Sequence, residues 1–355
     1  MRSIIVKNKT VNKKMKVLIN KKTKHIHSTD WSFPWIDYCN QIGIEYDVAD
    51  LFQENTIEIL EKYDCLLWHF GQYNFIDMLE ARSILYVAKQ MGLKVFPDFN
   101  ESWHFDDKVA EMYLLQSIGA PIPKSNVFYD WDTFETWLGK KENKFPIVGK
   151  LRTGSGSHNV KLLKTNHALT RYAKRMLGKG FNPAPNLLYK TSSNIRSSHD
   201  WATFIAKAKR IPEFIRVLFE ANKFPKERGY IYLQEFIPND GYDMKVVVVG
   251  DKLSGLIRPI RSHDFRASGG GEVFFDKKYF TNDIIKSAFK ITDSLGMQCI
   301  GYDYVINNKS QQPIIVEMSY GFSHNAILKS GGYFDRDYIW HDEPLNVPLE
   351  IIKKL

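Results

Sequence analysis

GYDYVINNKSQQPIIVEMSYGF, residues 301–322, contains two strand-like segments joined by a polar turn. The first segment, 302–306, is rich in β-branched and aromatic residues, and the second, 313–316, is apolar. The pattern predicts a β-hairpin that brings Asp303 and Glu317 to the same end of adjacent strands. Paired carboxylates are the donors that a hard cation such as Mg²⁺ requires. Two acids on neighbouring strands are also common in ordinary sheets, so the rest of the chain has to support a metal site.

The composition is that of an ordinary globular protein, with 355 residues of which 44% are hydrophobic and 25% charged. This length predicts two or three packed units. No apolar run approaches the roughly 20 residues that cross a bilayer, and the basic amino terminus lacks the apolar segment of a secretory signal. The three cysteines (Cys39, Cys65 and Cys299) are widely spaced, which is typical of buried thiols in a reducing compartment. We therefore expect a cytoplasmic protein without a membrane span.

The formal net charge of +9 favours anionic ligands. The excess is concentrated in residues 161–228, which contain fifteen Lys and Arg against four Asp and Glu. Two interpretations stay open for this segment: a solvated helical face, or a patch that binds an anionic substrate.

Strand-like and helix-like segments alternate between residues 16 and 100 with short connections. After a basic leader at 1–15, this alternation predicts a small parallel α/β domain over 16–100. From residue 101 onward the pattern changes to helices mixed with pairs of strands.

Lys150 closes an apolar segment and is followed at once by the loop that contains Gly154, Ser155 and Gly156. One ammonium beside several free backbone N–H groups is an arrangement that binds phosphate, although the spacing is not that of a Walker A loop. Taken alone, the loop fits an ordinary flexible hairpin turn better.

The strand-like segment YIYLQEFIP, residues 230–238, offers backbone donors and acceptors beside an apolar surface, which suits a purine edge. A plain core strand has the same pattern. Asp243 follows in a turn, where it is a candidate for binding ribose hydroxyls. Further on, Arg258 and Arg266 lie close to a glycine-rich turn, and guanidinium groups pair bidentately with phosphate or carboxylate.

The order of these segments resembles that of the ATP-grasp superfamily, most closely its glutathione-synthase-like and ribosomal-protein-glutamate-ligase-like carboxylate–amine ligases. The resemblance covers about residues 98–323. It implies an ATP-grasp fold, in which two α+β subdomains grip ATP, preceded by the small parallel α/β N-terminal domain. The implied boundaries are 101–233 for the first subdomain, with a lid loop at 152–159 and a long basic insertion at about 164–228, then 234–340 for the second subdomain with the metal site, and 341–355 for a C-terminal tail.

The resemblance also implies a role for each candidate residue. Lysines and a glycine loop would contact the phosphates of ATP, one strand would form the adenine pocket, an acid would bind ribose, and arginines would stabilise the transferring group. The implied phosphate contacts are Lys108, Lys150, Gly154, Ser155 and Gly156, and the implied adenine pocket is Gln234, Glu235, Phe236 and Ile237. Asp243 would bind ribose, and Arg266 with Arg258 would stabilise the transferring group.

Two positions depart from the pattern of the family. The metal motif usually ends in Glu-x-Asn, whereas this chain has Glu317-Met318-Ser319, so the third implied ligand is a hydroxyl. Likewise, Ser268 replaces the asparagine that follows the Asp-Phe-Arg segment. The implied metal ligands are therefore Asp303, Glu317 and Ser319, and the number of metal ions is left open.

The implied activity joins a carboxylate to an amine through an acyl phosphate, with ATP and Mg²⁺ as cofactors and Mn²⁺ as a substitute. The expected partners are a carboxylate substrate and an amine co-substrate, and a small amino-acid or sugar-linked substrate is compatible with this size. One alternative is a phosphotransferase on the same site, and another is a basic binding module with an ATP-grasp shape. Nucleic acid is not expected, because the basic segment lacks interleaved aromatic residues. A homodimer is left open.

Overall fold

The structure, a computed structural model, describes residues 15–21, 30–72, 75–140, 144–154, 159–182, 225–260, 265 and 273–355. Helices and strands are numbered within those residues. The predicted basic leader 1–15 lies outside them except for Met15, and so does most of the predicted insertion 164–228.

The N-terminal sheet is parallel, with strand order β2-β1-β3-β4. Short connections and amphipathic helices between the strands favour parallel pairing, because each crossover needs a helix to return the chain. The predicted α/β unit is therefore confirmed. Its elements are β1 (Lys16–Asn20), α1 (Ser32–Ile42), β2 (Glu45–Ala49), α2 (Thr56–Leu60), β3 (Cys65–Leu67), α3 (Phe75–Gln90) and β4 (Lys94–Phe96).

A four-stranded antiparallel sheet follows, with order β5-β8-β6-β7. The short helix α4 (Phe99–Ser102) leads into it. The helix α5 begins at Lys108 because the side chain of Asp107 accepts hydrogen bonds from the N–H groups of Val109 and Ala110. The four-stranded sheet and its helices are α5 (Lys108–Ser117), β5 (Ser125–Phe128), α6 (Trp131–Leu138), β6 (Ile147–Lys150), β7 (Val160–Leu163), α7 (Asn166–Leu177) and β8 (Ile231–Glu235).

The third sheet has six strands in the order β12-β11-β9-β10-β13-β14. Its central strand β9 ends in Val246–Val249, which are at most 1% exposed because helices and strands cover both faces. The six-stranded sheet and its helices are β9 (Tyr242–Val249), β10 (Lys252–Pro259), α8 (Asn282–Ser294), β11 (Cys299–Ile306), β12 (Pro313–Ser319), α9 (His324–Leu328), β13 (Tyr333–Phe334), β14 (Trp340–His341) and α10 (Val347–Lys354).

The N-terminal sheet and the six-stranded sheet share one continuous apolar core, whereas the four-stranded sheet packs its own core around Phe134 and Tyr172. Two side-chain hydrogen bonds join the N-terminal unit to the part of the chain that contains the six-stranded sheet. Trp35 Nε1 donates to Pro348 O at 3.2 Å, and Tyr320 Oη donates to Phe70 O at 2.8 Å. The boundaries at residues 100, 233 and 340 stay predictions. No helix within the described residues is long and apolar enough to cross a membrane.

Candidate active site

The predicted carboxylate hairpin is formed by β11 and β12. Asp303 and Glu317 are direct cross-strand partners in this antiparallel pair, and the register shifts immediately after Asp303. The second strand is longer than the sequence pattern predicts and includes Glu317 and Ser319. Because side chains alternate along a strand, Glu317 and Ser319 lie on the same face. The Ser319 hydroxyl accepts a hydrogen bond from Gly321 N at 3.0 Å.

Asp303 is a buried carboxylate that is held between two cations. Lys245, its cross-strand neighbour on β9, forms an ion pair with Oδ1, and Arg258 Nη2 lies 2.9 Å from Oδ2. Burial favours the protonated acid, but the charges of Arg258 and Lys245 outweigh it and lower the pKa of Asp303. The carboxylate is therefore ionised and fixed in position.

Arg258 bridges two carboxylates on neighbouring strands. It lies opposite Asp243 in the β9–β10 register, and its Nε and Nη2 atoms contact that carboxylate at 2.6 Å and 2.9 Å. Burial raises the pKa of Asp243 to about 6 against the attraction of Arg258, whereas Asp303 and Asp243 keep the guanidinium charged despite its burial. Asp243 is thus engaged by Arg258, and its implied role at the ribose stays a prediction.

Lys108, the first residue of α5, is 5% exposed and its Nζ donates to Gly154 O at 2.6 Å. The same Nζ lies 3.4 Å from Glu317 Oε1. Burial favours the neutral amine, but Glu317, Asp106 and Glu111 together raise the pKa of Lys108. The structure therefore brings a charged lysine, the base of the glycine loop and one implied metal ligand into contact.

Lys150, the last residue of β6, is 7% exposed and its Nζ donates to Val316 O at 3.0 Å. Burial lowers the pKa of Lys150 to about 8, and the nearby carboxylate of Glu317 only partly opposes this effect. Both predicted lysines therefore meet the strand that carries Glu317.

A cavity of about 250 Å³ lies beside the paired carboxylates, and neither Lys108 nor Lys150 is among the residues that line it. Of the predicted site residues, Arg258, Asp303, Glu317 and Ser319 line it. Its wall continues along apolar side chains that follow β12, among them Phe322 and Ile327. A cavity lined by both apolar side chains and a few charged groups is typical of a site for a small organic substrate.

The predicted adenine-pocket residues do not line this cavity. Gln234 is buried at the end of β8, where its Nε2 lies 3.3 Å from both Ser125 Oγ and Tyr232 Oη. Glu235 is exposed and ends the strand, and Ile237 is 9% exposed. Phe236 meets Phe265 edge to face at 6.4 Å between ring centroids. Their nucleotide roles stay predictions, and Ser155, Gly156 and Arg266 lie outside the described residues.

Three charged residues of the cavity wall do not figure among the sequence candidates: Asp106, Glu111 and Lys245. Asp106 has a positive φ of 56° and accepts a hydrogen bond from Gly154 N at 2.8 Å. Glu111 is 4% exposed, and its Oε2 lies 3.3 Å from Met318 N. The alternation of β9 was a usable signal for Lys245, because Asp243 and Lys245 must share a face. Asp106 and Glu111 meet the site only through tertiary contacts.

The donors at the hairpin fit a hard divalent cation. Asp303 and Glu317 supply carboxylate oxygens, and Ser319 supplies a hydroxyl. Among the residues that the structure describes, no three or more His, Cys, Asp or Glu side chains lie close enough together to hold a metal ion by themselves. Mg²⁺ is commonly held by one or two carboxylates, with water and substrate phosphates completing its shell. The donor set therefore fits magnesium bound together with a nucleotide better than a cation held by protein groups alone.

Residues 195–330 match the family model described as the RimK-like ATP-grasp domain. The fold is similar to that of D-cycloserine synthetase DcsG, with a TM-score of 0.54, 11% identity, and 96% of this chain and 99% of that chain covered. It is also similar to D-alanine–D-alanine ligase from Bacillus anthracis, with a TM-score of 0.51, 12% identity, and 86% of each chain covered. For a RimK domain ATP-grasp protein from Sphaerobacter thermophilus the TM-score is 0.50, the identity 15%, and the coverage 88% of this chain and 93% of that chain. No curated protein sequence matches the chain.

Proposed function

We propose that this chain, which has the ATP-grasp fold and a RimK-like ATP-grasp domain, is an ATP-dependent ligase that joins a carboxylate to an amine. The observation that carries the proposal is the convergence of Lys108, Lys150 and Arg258 on the facing pair Asp303 and Glu317. Cations for phosphate and carboxylates for a divalent ion are the two components that phosphoryl transfer from ATP needs.

Asp303, Glu317 and Ser319 would hold Mg²⁺, with Mn²⁺ as a substitute. The ion, when bound, supplies Lewis-acid polarisation of the phosphate oxygens. Lys245 and Arg258 already fix the Asp303 carboxylate, so its oxygens do not have to be ordered when the ligand arrives.

The two lysines would bind the phosphates of ATP. Lys108 lies against Gly154 O and Glu317, and Lys150 against Val316 O, so each ammonium can exchange a carbonyl or carboxylate for a phosphate oxygen. Both ammonium groups are buried, and a buried cation attracts phosphate more strongly than an exposed one because water screens it less.

The reaction would proceed in two steps. A carboxylate oxygen of the substrate attacks the γ-phosphorus, the bond from that phosphorus to ADP breaks, and an acyl phosphate forms. The amine nitrogen then attacks the acyl carbon, the carbon–oxygen bond to phosphate breaks, and the nitrogen loses a proton to give the amide. Arg258, and the implied Arg266, would stabilise the negative charge of the transferring group, so catalysis depends on positioning and electrostatics.

Nucleotide binding tests the proposal directly. We expect ATP to raise the unfolding temperature of the protein in the presence of Mg²⁺ and to do so much less in its absence. Glu317→Ala and Glu317→Gln should both lower the affinity for ATP in the presence of Mg²⁺ at least tenfold, because each removes the carboxylate charge. Glu58→Gln, which changes an exposed glutamate on α2, is the matched control and should behave as the wild type.

Phosphate release then distinguishes the ligase from a phosphotransferase. A ligase releases phosphate only when a carboxylate and an amine are both present, so pairs of the two classes should be screened together. Steady phosphate transfer to a single acceptor would contradict ligation, and the absence of any nucleotide effect at millimolar ATP would contradict the enzyme altogether.

A further inference from the structure

A basic surface covers β7, the outermost strand of the four-stranded sheet, and α7, the helix that follows it. Residues 159–182, which span both elements, contain no Asp or Glu, and their Lys and Arg side chains are all exposed. Within the described part of the chain, none of these cations forms an ion pair with a carboxylate. Uncompensated charge of this kind favours an anionic partner. The basic surface consists of Lys161, Lys164, Arg171, Lys174, Arg175 and Lys179.

Two of these cations meet at one aromatic ring. Lys161 Nζ and Arg175 Cζ each lie 4.1 Å from the centroid of the Phe181 ring, so the two charged groups are at most twice that distance apart. Partial burial and the nearby charges of Arg175 and Arg171 lower the pKa of Lys161. A carboxylate placed between these groups would oppose that effect, because an opposite charge favours the ionised ammonium.

No segment outside the described residues offers a net negative charge to neutralise this surface. The two longest of these segments are themselves basic: residues 1–14 contain five Lys and Arg and no Asp or Glu, and residues 183–224 contain seven against three. The shorter segments carry no excess of Asp and Glu either. We therefore expect the opposite charge to come from a separate molecule.

The free edge of β7 indicates which class of molecule fits. Across the β6–β7 pair, Leu151 N donates to Asn159 O at 3.0 Å, so Asn159 directs its backbone groups toward β6. Because the direction alternates along an antiparallel strand, the N–H and C=O groups of Val160 and Leu162 point away from β6. Among the described residues, no backbone group pairs with them. Another extended peptide can complete such an edge, whereas a lipid or a nucleic acid cannot.

The side chains around the edge also disfavour the other anionic partners. Single-stranded nucleic acid stacks its bases on free aromatic rings, but Phe181 is in contact with Lys161 and Arg175, and Lys174 Nζ lies 5.6 Å from the centroid of Trp131. A membrane surface would require exposed apolar side chains beside the cations, and no large apolar residue of 159–182 is exposed.

A second copy of this chain is disfavoured as the occupant of the edge. Lys161 lies on β7 and Lys164 directly follows it, so two such edges side by side would bring like charges together. Lysines on an edge strand oppose pairing of this kind, but they attract a strand that carries carboxylates.

We propose that the free edge of β7 and the basic surface together bind an extended, acidic segment of a partner polypeptide. The segment would pair with the backbone groups of Val160 and Leu162. Side chains alternate between the two faces of a strand, so acidic residues at every second position of the segment would lie on the same face as Lys161 and α7. The proposal does not depend on the ligase activity.

The candidate nucleotide site would stay accessible while this partner is bound. Lys161 is the cross-strand partner of Gly149, and a Cβ at Gly149 would lie 3.0 Å from the ring of Tyr172 on α7. The basic surface is therefore on the face of the sheet that α7 covers. Lys150, the next residue of β6, directs its side chain to the opposite face, where Nζ meets Val316 O.

A fluorescein-labelled peptide of alternating Glu and Thr is the probe that tests the site. One matched control is the same peptide with every backbone nitrogen methylated, which keeps the carboxylates but cannot donate to a strand. The other is a labelled single-stranded DNA with the same number of negative charges. We expect the peptide to bind the full chain saturably at low ionic strength, measured by fluorescence anisotropy, and both controls to bind at least tenfold more weakly. MgATP should not displace the peptide.

Two double variants remove charge from different parts of the basic surface. Lys161→Gln with Lys164→Gln acts at the strand edge, and Arg171→Gln with Lys174→Gln acts on the exposed face of α7. Each should weaken peptide binding at least tenfold and leave the Mg²⁺-dependent response to ATP unchanged. The helix variant keeps the test valid if the strand variant unfolds.

Lys286→Gln with Lys290→Gln, at two exposed lysines of α8, removes the same charge elsewhere and is the matched control. It should retain the affinity of the wild type within about twofold, because a specific site depends on near charges more than on net charge. Equal weakening by this control, equal affinity for the methylated peptide, tighter binding of the DNA, or no saturable binding of the peptide would overturn the proposal.

Discussion

Lys150 is a cation whose environment disfavours its charge. Burial lowers its pKa to about 8 from 10.5, and its ammonium donates to the backbone carbonyl of Val316. Between those two pH values the unfolded chain holds a proton at Lys150 that the folded chain has lost. The contribution of this residue to stability therefore increases as the pH rises through that window. A phosphate in contact with Nζ would reverse the effect by favouring the charged form.

We therefore predict that MgATP binding takes up close to one proton at pH 9. The measurement is calorimetry in two buffers that differ in ionisation enthalpy. Lys150→Arg is the matched control, because a guanidinium is already fully charged at this pH and cannot take up the proton. Equal heats for the wild type in both buffers would contradict a role for Lys150 at the phosphates.

At the scale of elements, the site depends on the register of three neighbouring strands. Side-chain alternation places Asp243 and Lys245 of β9, Arg258 of β10 and Asp303 of β11 on one face, and the cross-strand pairs bring opposite charges together. The charges compensate one another: two carboxylates share one guanidinium and one ammonium.

Removing Arg258 should be costly for this reason. We predict that Arg258→Met lowers the free energy of unfolding by about 3–5 kcal/mol, because two buried carboxylates lose their shared partner. Urea denaturation provides the measurement. Adding Asp243→Asn to that variant should recover part of the loss, since one uncompensated charge disappears. A cost under about 1 kcal/mol for Arg258→Met alone would show that the carboxylates find other partners.

At the scale of the whole molecule, hydrogen bonds from α4 connect the N-terminal sheet to β11, the strand that carries Asp303. The Glu101 carboxylate accepts hydrogen bonds from the N–H groups of Gln298 and Cys299 at the start of β11. Asn100 Nδ2 donates to Gly296 O at 3.1 Å, and Gln298 Nε2 donates to Val95 O at 3.2 Å. Burial raises the pKa of Glu101 to about 7 from 4.5, against the hydrogen bonds that favour its ionised form.

This junction should respond to pH. Between about pH 4.5 and 7 the folded chain holds a proton at Glu101 that the unfolded chain has lost, so the stability that Glu101 contributes falls as the pH rises. We predict that Glu101→Gln, which keeps an accepting oxygen and has no charge, gains about 3 kcal/mol relative to the wild type between pH 5 and pH 8. Urea denaturation of both proteins at the two pH values measures this. A difference that does not change with pH would mean that burial does not raise the pKa of Glu101, so that the buried carboxyl group is ionised over this range as it is in the unfolded chain.

The sequence by itself determined the elements and the identity of the facing carboxylates. Local patterns are sufficient for this, since alternation and turn residues place Asp303 and Glu317 on the two strands of a hairpin whatever surrounds them. Likewise, the alternation of strands and helices over residues 16–100 predicted a parallel sheet, because no other arrangement buries both sets of apolar faces with such short connections.

Only the tertiary structure decided which charges meet. The contacts of Lys108 with Glu317, Glu111 with Met318 N, and Glu101 with Cys299 N join residues about 200 positions apart. Coulombic attraction, burial and hydrogen bonding depend on distance in space, which no local pattern encodes.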